Sequence, residues 1–320
     1  MARLGLRGAG PGRRSRAVGS SGDRAAYLFL LPWIIGFFGF SLIPMAASLV
    51  LSFTDYNLFD APRFVGLDNF FLMFSGDWHF PAAVSVTLRY VLIAVPLQLA
   101  ASLVLAFVLN RGLPLLSLFR TLFYIPSLLG SSVAVGILWR QLFGSEGVLN
   151  VILAGLGAEW AREISWIANP RYALWTIIIL RVWQFGSPMI IFLAGLKQIP
   201  QELLEAAELE GATRVQRTWR ISLPLLSPII LFNFVMQTIS AFKVFTEAFI
   251  VSGGATGGGV VGGTLDSLLF YTIHIYSEGF VKFRMGYASA LSWLLLGMIA
   301  VLTFVSFRLS SRWVFYNEGA

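Results

Sequence analysis

Between Glu205 and Pro224 the chain reads EAAELEGATRVQRTWRISLP, setting Glu205, Glu208 and Glu210 ahead of Arg214, Arg217 and Arg220. Carboxylates and guanidinium groups at this density can move protons, hold an ion, or pair with charges on another protein. The first two uses need partners that the sequence does not supply. The chain has no cysteine, and its two histidines, His79 and His274, lie far apart in sequence, so a Cys-based or His-pair metal motif is missing. No nucleophile–base constellation stands out. No Gly-Lys pair occurs either, which excludes a Walker-type phosphate loop. Docking on another protein remains, beside the plain alternative that the segment only connects two spans.

Local rules build helices around these charges. Pro200 suits a helix start, where its missing N–H is no loss, and Glu202 and Glu205 then sit near the positive end of the dipole. Gly211 suits the left-handed position just past the end, which predicts about ten residues of helix, roughly 15 Å. Glu202, Glu205 and Glu208 fall on one side, and Leu203, Leu204, Ala206 and Ala207 on the other. The helix is too short to span a bilayer, and anionic headgroups would repel its acidic face. It is therefore expected to meet another protein, with the paired alanines admitting a close approach. Thr213 and Gln216 have capping-box spacing, so a second helix should start there. Arg214, Arg217 and Arg220, with Trp219, are placed to anchor that helix at a membrane interface.

The surrounding chain is lipid-like. Of its 320 residues 57% are hydrophobic and only 12% charged, with a mean hydropathy of +0.76, whereas soluble domains carry about 25% charged residues. The net charge of +7 is scattered between apolar runs, so no basic face is available for nucleic acid. At roughly 20 apolar residues per crossing, six spans are expected, near Tyr27–Phe53, Tyr90–Leu109, Phe119–Trp139, Tyr172–Gly195, Ile221–Ile250 and Met285–Phe307. The apolar run from Ala25 to Thr54 exceeds the roughly 7–15 residues of a signal-peptide core and is expected to stay as the first span. Residues 1–24, rich in arginine, read as a basic cytoplasmic tail without order, and residues 25–320 as one transmembrane domain.

Placing both termini inside puts twice as many Lys and Arg residues on the cytoplasmic side as on the outer side: Arg111, Arg120, Lys197, Arg214, Arg217, Arg220, Arg308, Arg312 and the arginines of the tail. That orientation follows the positive-inside rule. The acidic helix then lies in the second cytoplasmic loop, between spans four and five. The outer loops fall at 54–89, 140–171 and 251–284, the last opening with the glycine-rich SGGATGGGVVGG, read as a flexible linker or a loop lying against a ligand.

Polar residues inside spans are costly unless used. Trp183, Gln184 and Ser187 group in the fourth span. In the fifth, Asn233, Gln237 and Ser240 follow one helical stripe. Together these six are candidates for a polar solute's passage, the alternative being hydrogen bonding between helices. Lys243 and Glu247, four apart, are expected to pair, and Arg181 could snorkel, meet Glu247, or face water.

Glu205-Ala206-Ala207, then three residues, Gly211, nine residues and Ile221-Ser222-Leu223-Pro224 resembles the EAA-x3-G-x9-I-x-LP pattern of permease subunits of binding-protein-dependent ABC importers. The stretches FVGLDNF, FRTLFYIPSLLGSSVAVGILWRQLF and FLAGLKQIPQELLEAAELEGAT are similar to the carbohydrate-uptake branch of that family, of maltose and glycerol-phosphate type. The resemblance implies an all-α integral membrane fold, N-in and C-in, in which Glu205, Ala206, Ala207 and Gly211 form a coupling helix docked on a cytoplasmic ATP-binding subunit. It also implies no catalysis or cofactor in this chain, a second homologous permease, an extracytoplasmic solute-binding protein, and residence in a bacterial or archaeal cytoplasmic membrane. The cargo it implies is a sugar or polyol. Another small solute, or an ion-coupled secondary carrier, are the alternatives. The arginine-rich extension and the long glycine tract depart from the family pattern.

Overall fold

The computed structural model describes residues 21–111, 115–130, 132–254, 261–312 and 314–315, with side chains from residue 27 onward. The expected tail, up to residue 20, and the middle of the glycine tract, 255–260, lie outside the described residues. Among the described residues the fold is all-helical, with a single isolated bridge between Thr54 and Phe64 in place of any strand. Four helical segments are long and apolar enough to cross a bilayer, and six if each of two bent pairs counts as one crossing.

The chain divides into two compact units, Met1–Val50 and Leu51–Ala320. The first holds α1 (Ser21–Phe37) and α2 (Ile43–Leu51), joined through a π-helical turn at Phe38–Leu42. Helix begins at Ser21, inside the stretch expected to be tail, and Tyr27–Leu51 matches the first expected span.

In the second unit, α3 (Asp68–Ser75) precedes α4 (His79–Leu109), the longest helix. The expected second span started at Tyr90, whereas the helix already starts at His79 and includes the exposed Arg89. α4 packs against α8 (Ala173–Trp183), α9 (Gly186–Gln198), α12 (Leu223–Phe242) and α14 (Tyr271–Tyr276). Ala83, Ala94 and Ala106 of α4 are fully buried, since small side chains let helices approach where lipid offers no hydrophobic drive for association.

The third and fourth expected spans are bent. α5 (Leu116–Leu129) and α6 (Val133–Phe143), which runs on towards α7 (Val148–Gly155), meet at 95°, so Phe119–Trp139 is not one straight rod. α8 and α9 meet at 40°. The second bend has a clear cause. Pro188 has no N–H to give the Gln184 carbonyl four residues earlier, and that carbonyl instead accepts from Gln98 Nε2 of α4 at 2.9 Å and Ser127 Oγ of α5 at 3.0 Å. Ser102 Oγ covers the Phe185 carbonyl at 2.9 Å. A broken helix survives in lipid only when neighbours satisfy its freed backbone in this way. Gly186 makes the crossing possible, because a Cβ there would stand 2.4 Å from the Phe123 carbonyl oxygen.

The fifth span is one helical run from Arg214 to Val251, comprising α11 (Arg214–Arg217), a π-helical turn at Thr218–Ser222, α12 and, after a break at Lys243–Phe245, α13 (Thr246–Val251). α15 (Met285–Ser310) completes the bundle. Its Gly286 admits no side chain: a Cβ would lie 1.9 Å from the Thr54 carbonyl oxygen.

Candidate functional site

Three polar constellations stand out in the second unit. The first is the acidic helix, α10 (Gln201–Leu209). Pro200 is its N-cap, just ahead of the first turn, and Gly211 ends it in the left-handed region at φ +84°. The turn closes through Gly211 N–H to Glu208 O at 3.0 Å and Ala212 N–H to Ala207 O at 2.9 Å. Thr213 then caps α11 through the full reciprocal capping box with Gln216. Arg217 Nη1 meets Glu208 Oε2 at 2.5 Å, so one expected docking carboxylate is used internally, binding α10 to the start of the fifth span. No residue of α10 is buried. Glu205, Ala206 and Gly211 are exposed and Ala207 half-buried, while Leu209 is 91% exposed. An outward surface mixing carboxylates with Leu203 and Leu209 is unsuited to bulk water or acyl chains alone, and fits a protein partner.

The second constellation lies inside the bundle. Arg181 Nη2 donates to Gln237 Oε1 at 2.7 Å and more weakly to the Gln237 carbonyl at 3.4 Å, joining α8 to α12. Its Nε is buried without a partner among the described residues. Arg181 shares one small cleft with Tyr90, Gln184 and Glu247, and a second cavity of about 160 Å³ with Ser240, Lys243 and Glu247. The expected Lys243–Glu247 pair does not form among the described ion pairs. The reason is backbone: Lys243 caps the end of α12, whereas Glu247 stands in the first turn of α13, and a break between them destroys the i,i+4 alignment that spacing alone suggests.

The six candidate passage residues therefore separate. Ser240 lines the charged cavity, and Gln237 is tied to it through Arg181. Gln184 lines only the small cleft beside Tyr90 and gives its Nε2 to the Gly130 carbonyl at 3.0 Å. Trp183 leans on Trp139, ring centroids 5.7 Å apart, and the half-buried Ser187 sits beside Ser127, whose Oγ accepts its N–H at 2.9 Å. Asn233 is fully buried, its Nδ2 on the Ile229 carbonyl at 3.2 Å and its Oδ1 without a partner among the described residues. Arg181 is the member that sequence reasoning left unassigned, and Glu247 the one it gave to Lys243. Their presence within spans was the available signal.

The third constellation caps the far end of α4 and α15. Asp77 Oδ2 accepts from His274 Nε2 at 2.8 Å and Tyr287 Oη at 2.6 Å, while its Oδ1 takes the His79 N–H at 3.0 Å. His79 Nδ1 meets Asp266 Oδ2 at 2.7 Å. The buried Glu278 holds Lys282 at 2.6 Å and Arg284 at 3.0 Å. Burial works against the Asp77 carboxylate, but hydrogen bonds from Tyr287 and the adjoining His274 outweigh it and hold its pKa below the ordinary value. Burial of His274 lowers its pKa despite the Asp77 carboxylate, so a neutral imidazole donates from Nε2. Distance in sequence concealed this: both histidines end in one cap, each on an aspartate. Asp77, His274 and Glu278 approach within the spacing of a cation site, yet the lone pairs a cation would need already accept from Tyr287, His274, Lys282 and Arg284.

The model of the binding-protein-dependent transport system inner membrane component matches residues 100–314, which takes in both the acidic helix and the charged cavity. The chain belongs to that family. It is a multi-pass membrane protein. The probable ABC transporter permease protein YesP of Bacillus subtilis strain 168 is 50% identical over 311 residues, spanning 97% of this chain and 98% of the relative. The arabinooligosaccharides transport system permease protein AraP of the same organism is 30% identical over 299 residues, 92% and 90% of the two chains. Among solved structures, a chain of a bacterial ABC transporter involved in import of the acidic polysaccharide alginate superposes with a TM-score of 0.74 at 23% identity, covering 91% of this chain and 96% of the other. The resemblance drawn from the residues 205–224 pattern thus extends to fold and family.

Proposed function

We propose that the chain is the membrane-embedded, non-catalytic permease subunit of an ATP-driven importer, passing a sugar or related polyol delivered by an extracytoplasmic binding protein. Each bent helix pair then counts as one crossing, giving six spans with both termini in the cytoplasm of a bacterial or archaeal cell, preceded by a basic tail whose last residues, from Ser21, already belong to α1. ATP-binding subunits dock on α10 through Glu205, Ala206, Ala207 and Gly211, and a second homologous permease completes the pathway.

One observation carries this reading. No residue of α10 is buried, yet it is joined through the Gly211 turn, the Thr213 capping box and the Glu208–Arg217 ion pair to a helical run that continues through α12 to Phe242. Force applied to α10 has a helical route to Gln237 and Ser240, and reaches Glu247 only across the break at Lys243–Phe245. The charged cavity around Arg181 offers the hydrogen-bond donors and acceptors that a hydroxyl-rich solute needs, with Trp183, Gln184, Ser187 and Asn233 as supporting wall. The arabinooligosaccharide relative favours a saccharide. An ion-coupled carrier has no support from family membership.

The reading is tested in proteoliposomes holding the assembled importer. Glu205→Lys, an exposed reversal, should insert and assemble normally while uptake per ATP hydrolysed collapses. Wild-type coupling in that variant rules α10 out as the ATPase contact.

A further inference from the structure

The end of the bundle that carries α10 contains a second cavity, of about 570 Å³, with two unlike walls. Val104, Phe107 and Val108 of α4 form an apolar wall. Arg111, just past α4, and Arg214 of α11 form a cationic one, with Thr218 beside them. Arg217 also lines the cavity but is committed to Glu208 and the Leu204 carbonyl. Arg111 and Arg214 have no counter-charge among the described residues. Two unneutralised guanidinium groups lining one cavity form a site for an anion that offers several oxygens, which is the geometry of phosphate recognition.

The apolar wall identifies the source of the phosphate. Val104 is 61% and Val108 38% exposed, and both lie on a helix apolar enough to cross the bilayer. They open sideways to acyl chains and gain nothing from a free phosphate ion. We propose that this cavity binds one anionic phospholipid, its phosphodiester held by Arg111 and Arg214 and an acyl chain laid along Val104 and Val108. Basic pockets between helices at the cytoplasmic face have this ligand chemistry. Leu204 of α10 lines the same cavity, so the lipid touches the element assigned to ATPase docking. On the reading of α10 given above, anionic lipid then tunes coupling.

The test uses the intact importer complex, purified and examined by native mass spectrometry with phosphatidylglycerol. The wild type should retain one such lipid. Arg111→Gln with Arg214→Gln should bind it about 30-fold more weakly, roughly fivefold for each arginine lost near an anionic surface, whereas Arg111→Lys with Arg214→Lys keeps it. Equal retention by the glutamine variant overturns the proposal. So does displacement of the lipid by excess inorganic phosphate, which would make this an ion site. In nanodiscs, adding phosphatidylglycerol to phosphatidylcholine should change uptake per ATP in the wild type and leave the glutamine variant unmoved. Lipid retention that depends on the arginines but has no effect on coupling upholds the site and refutes only its link to α10.

Discussion

Replacing Gly211 tests the mechanical reading at a single torsion angle. Its φ of +84° is open to glycine but costs an ordinary L-residue about 1–2 kcal/mol. A Cβ built there meets nothing within 4 Å, so sterics contribute nothing and the whole penalty is conformational. Gly211→Ala should therefore shift the turn's population by roughly 5- to 30-fold towards forms in which the hydrogen bonds from Gly211 and Ala212 to Glu208 and Ala207 are lost. The nine residues of α10 make a lever of about 13 Å, and a reorientation of about 20° moves its far end by roughly 4 Å, more than a docking surface of hydrogen bonds and close-packed alanines tolerates. Gly211→Asn is the control, because asparagine enters the left-handed region far more readily. The assay is solute uptake per ATP hydrolysed in proteoliposomes with saturating binding protein. Alanine should reduce the ratio by up to the same factor, and asparagine should restore most of it. An alanine variant that couples normally, or an asparagine variant as defective as alanine, refutes the argument from torsion.

The Arg181–Gln237 tie should matter for solute recognition: a hydrogen bond to a charged group contributes about 1.5–3 kcal/mol, so Arg181→Met should raise the solute concentration for half-maximal uptake by more than tenfold, with Arg181→Lys intermediate. An unchanged value would reduce the pair to packing. The cap around Asp77 should loosen in acid. His274 has a lowered folded pKa, so its contribution is complete above the ordinary value of 6.5 and is lost as pH falls from there through the folded value, while Asp77, also lowered, loses its contribution only below its ordinary 3.8. Amide exchange over residues 271–281, corrected for intrinsic rates, should accelerate below about pH 6.5, and His274→Gln should abolish that first phase. Flat protection from pH 7 to 5 in the wild type would contradict the assignment of a neutral, buried imidazole among Asp77, Glu278, Lys282 and Arg284.

What the sequence determined by itself was whatever depends on near neighbours along the chain. Hydropathy over windows of about 20 residues located the helices Tyr27–Leu51 and Met285–Ser310, each long and apolar enough to cross a bilayer. Pro200, Gly211 and the Thr213–Gln216 box set the ends of α10 and the start of α11, because capping is satisfied within four residues. The spacing from Glu205 to Pro224 was enough to carry the family.

Tertiary structure decided whatever depends on contacts across the bundle. Pro188 alone could not say that the α8–α9 pair survives its bend, since that rests on Gln98, Ser102 and Ser127 reaching freed carbonyls from other helices. Lys243 and Glu247 have pairing distance in sequence, but a backbone break separates them and Arg181 turns to Gln237 instead. His79 and His274 become neighbours of aspartates only once α14 packs beside the start of α4. A charge buried in a low-dielectric bundle takes whichever partner the packed helices bring within reach, and that choice has no signature in local spacing.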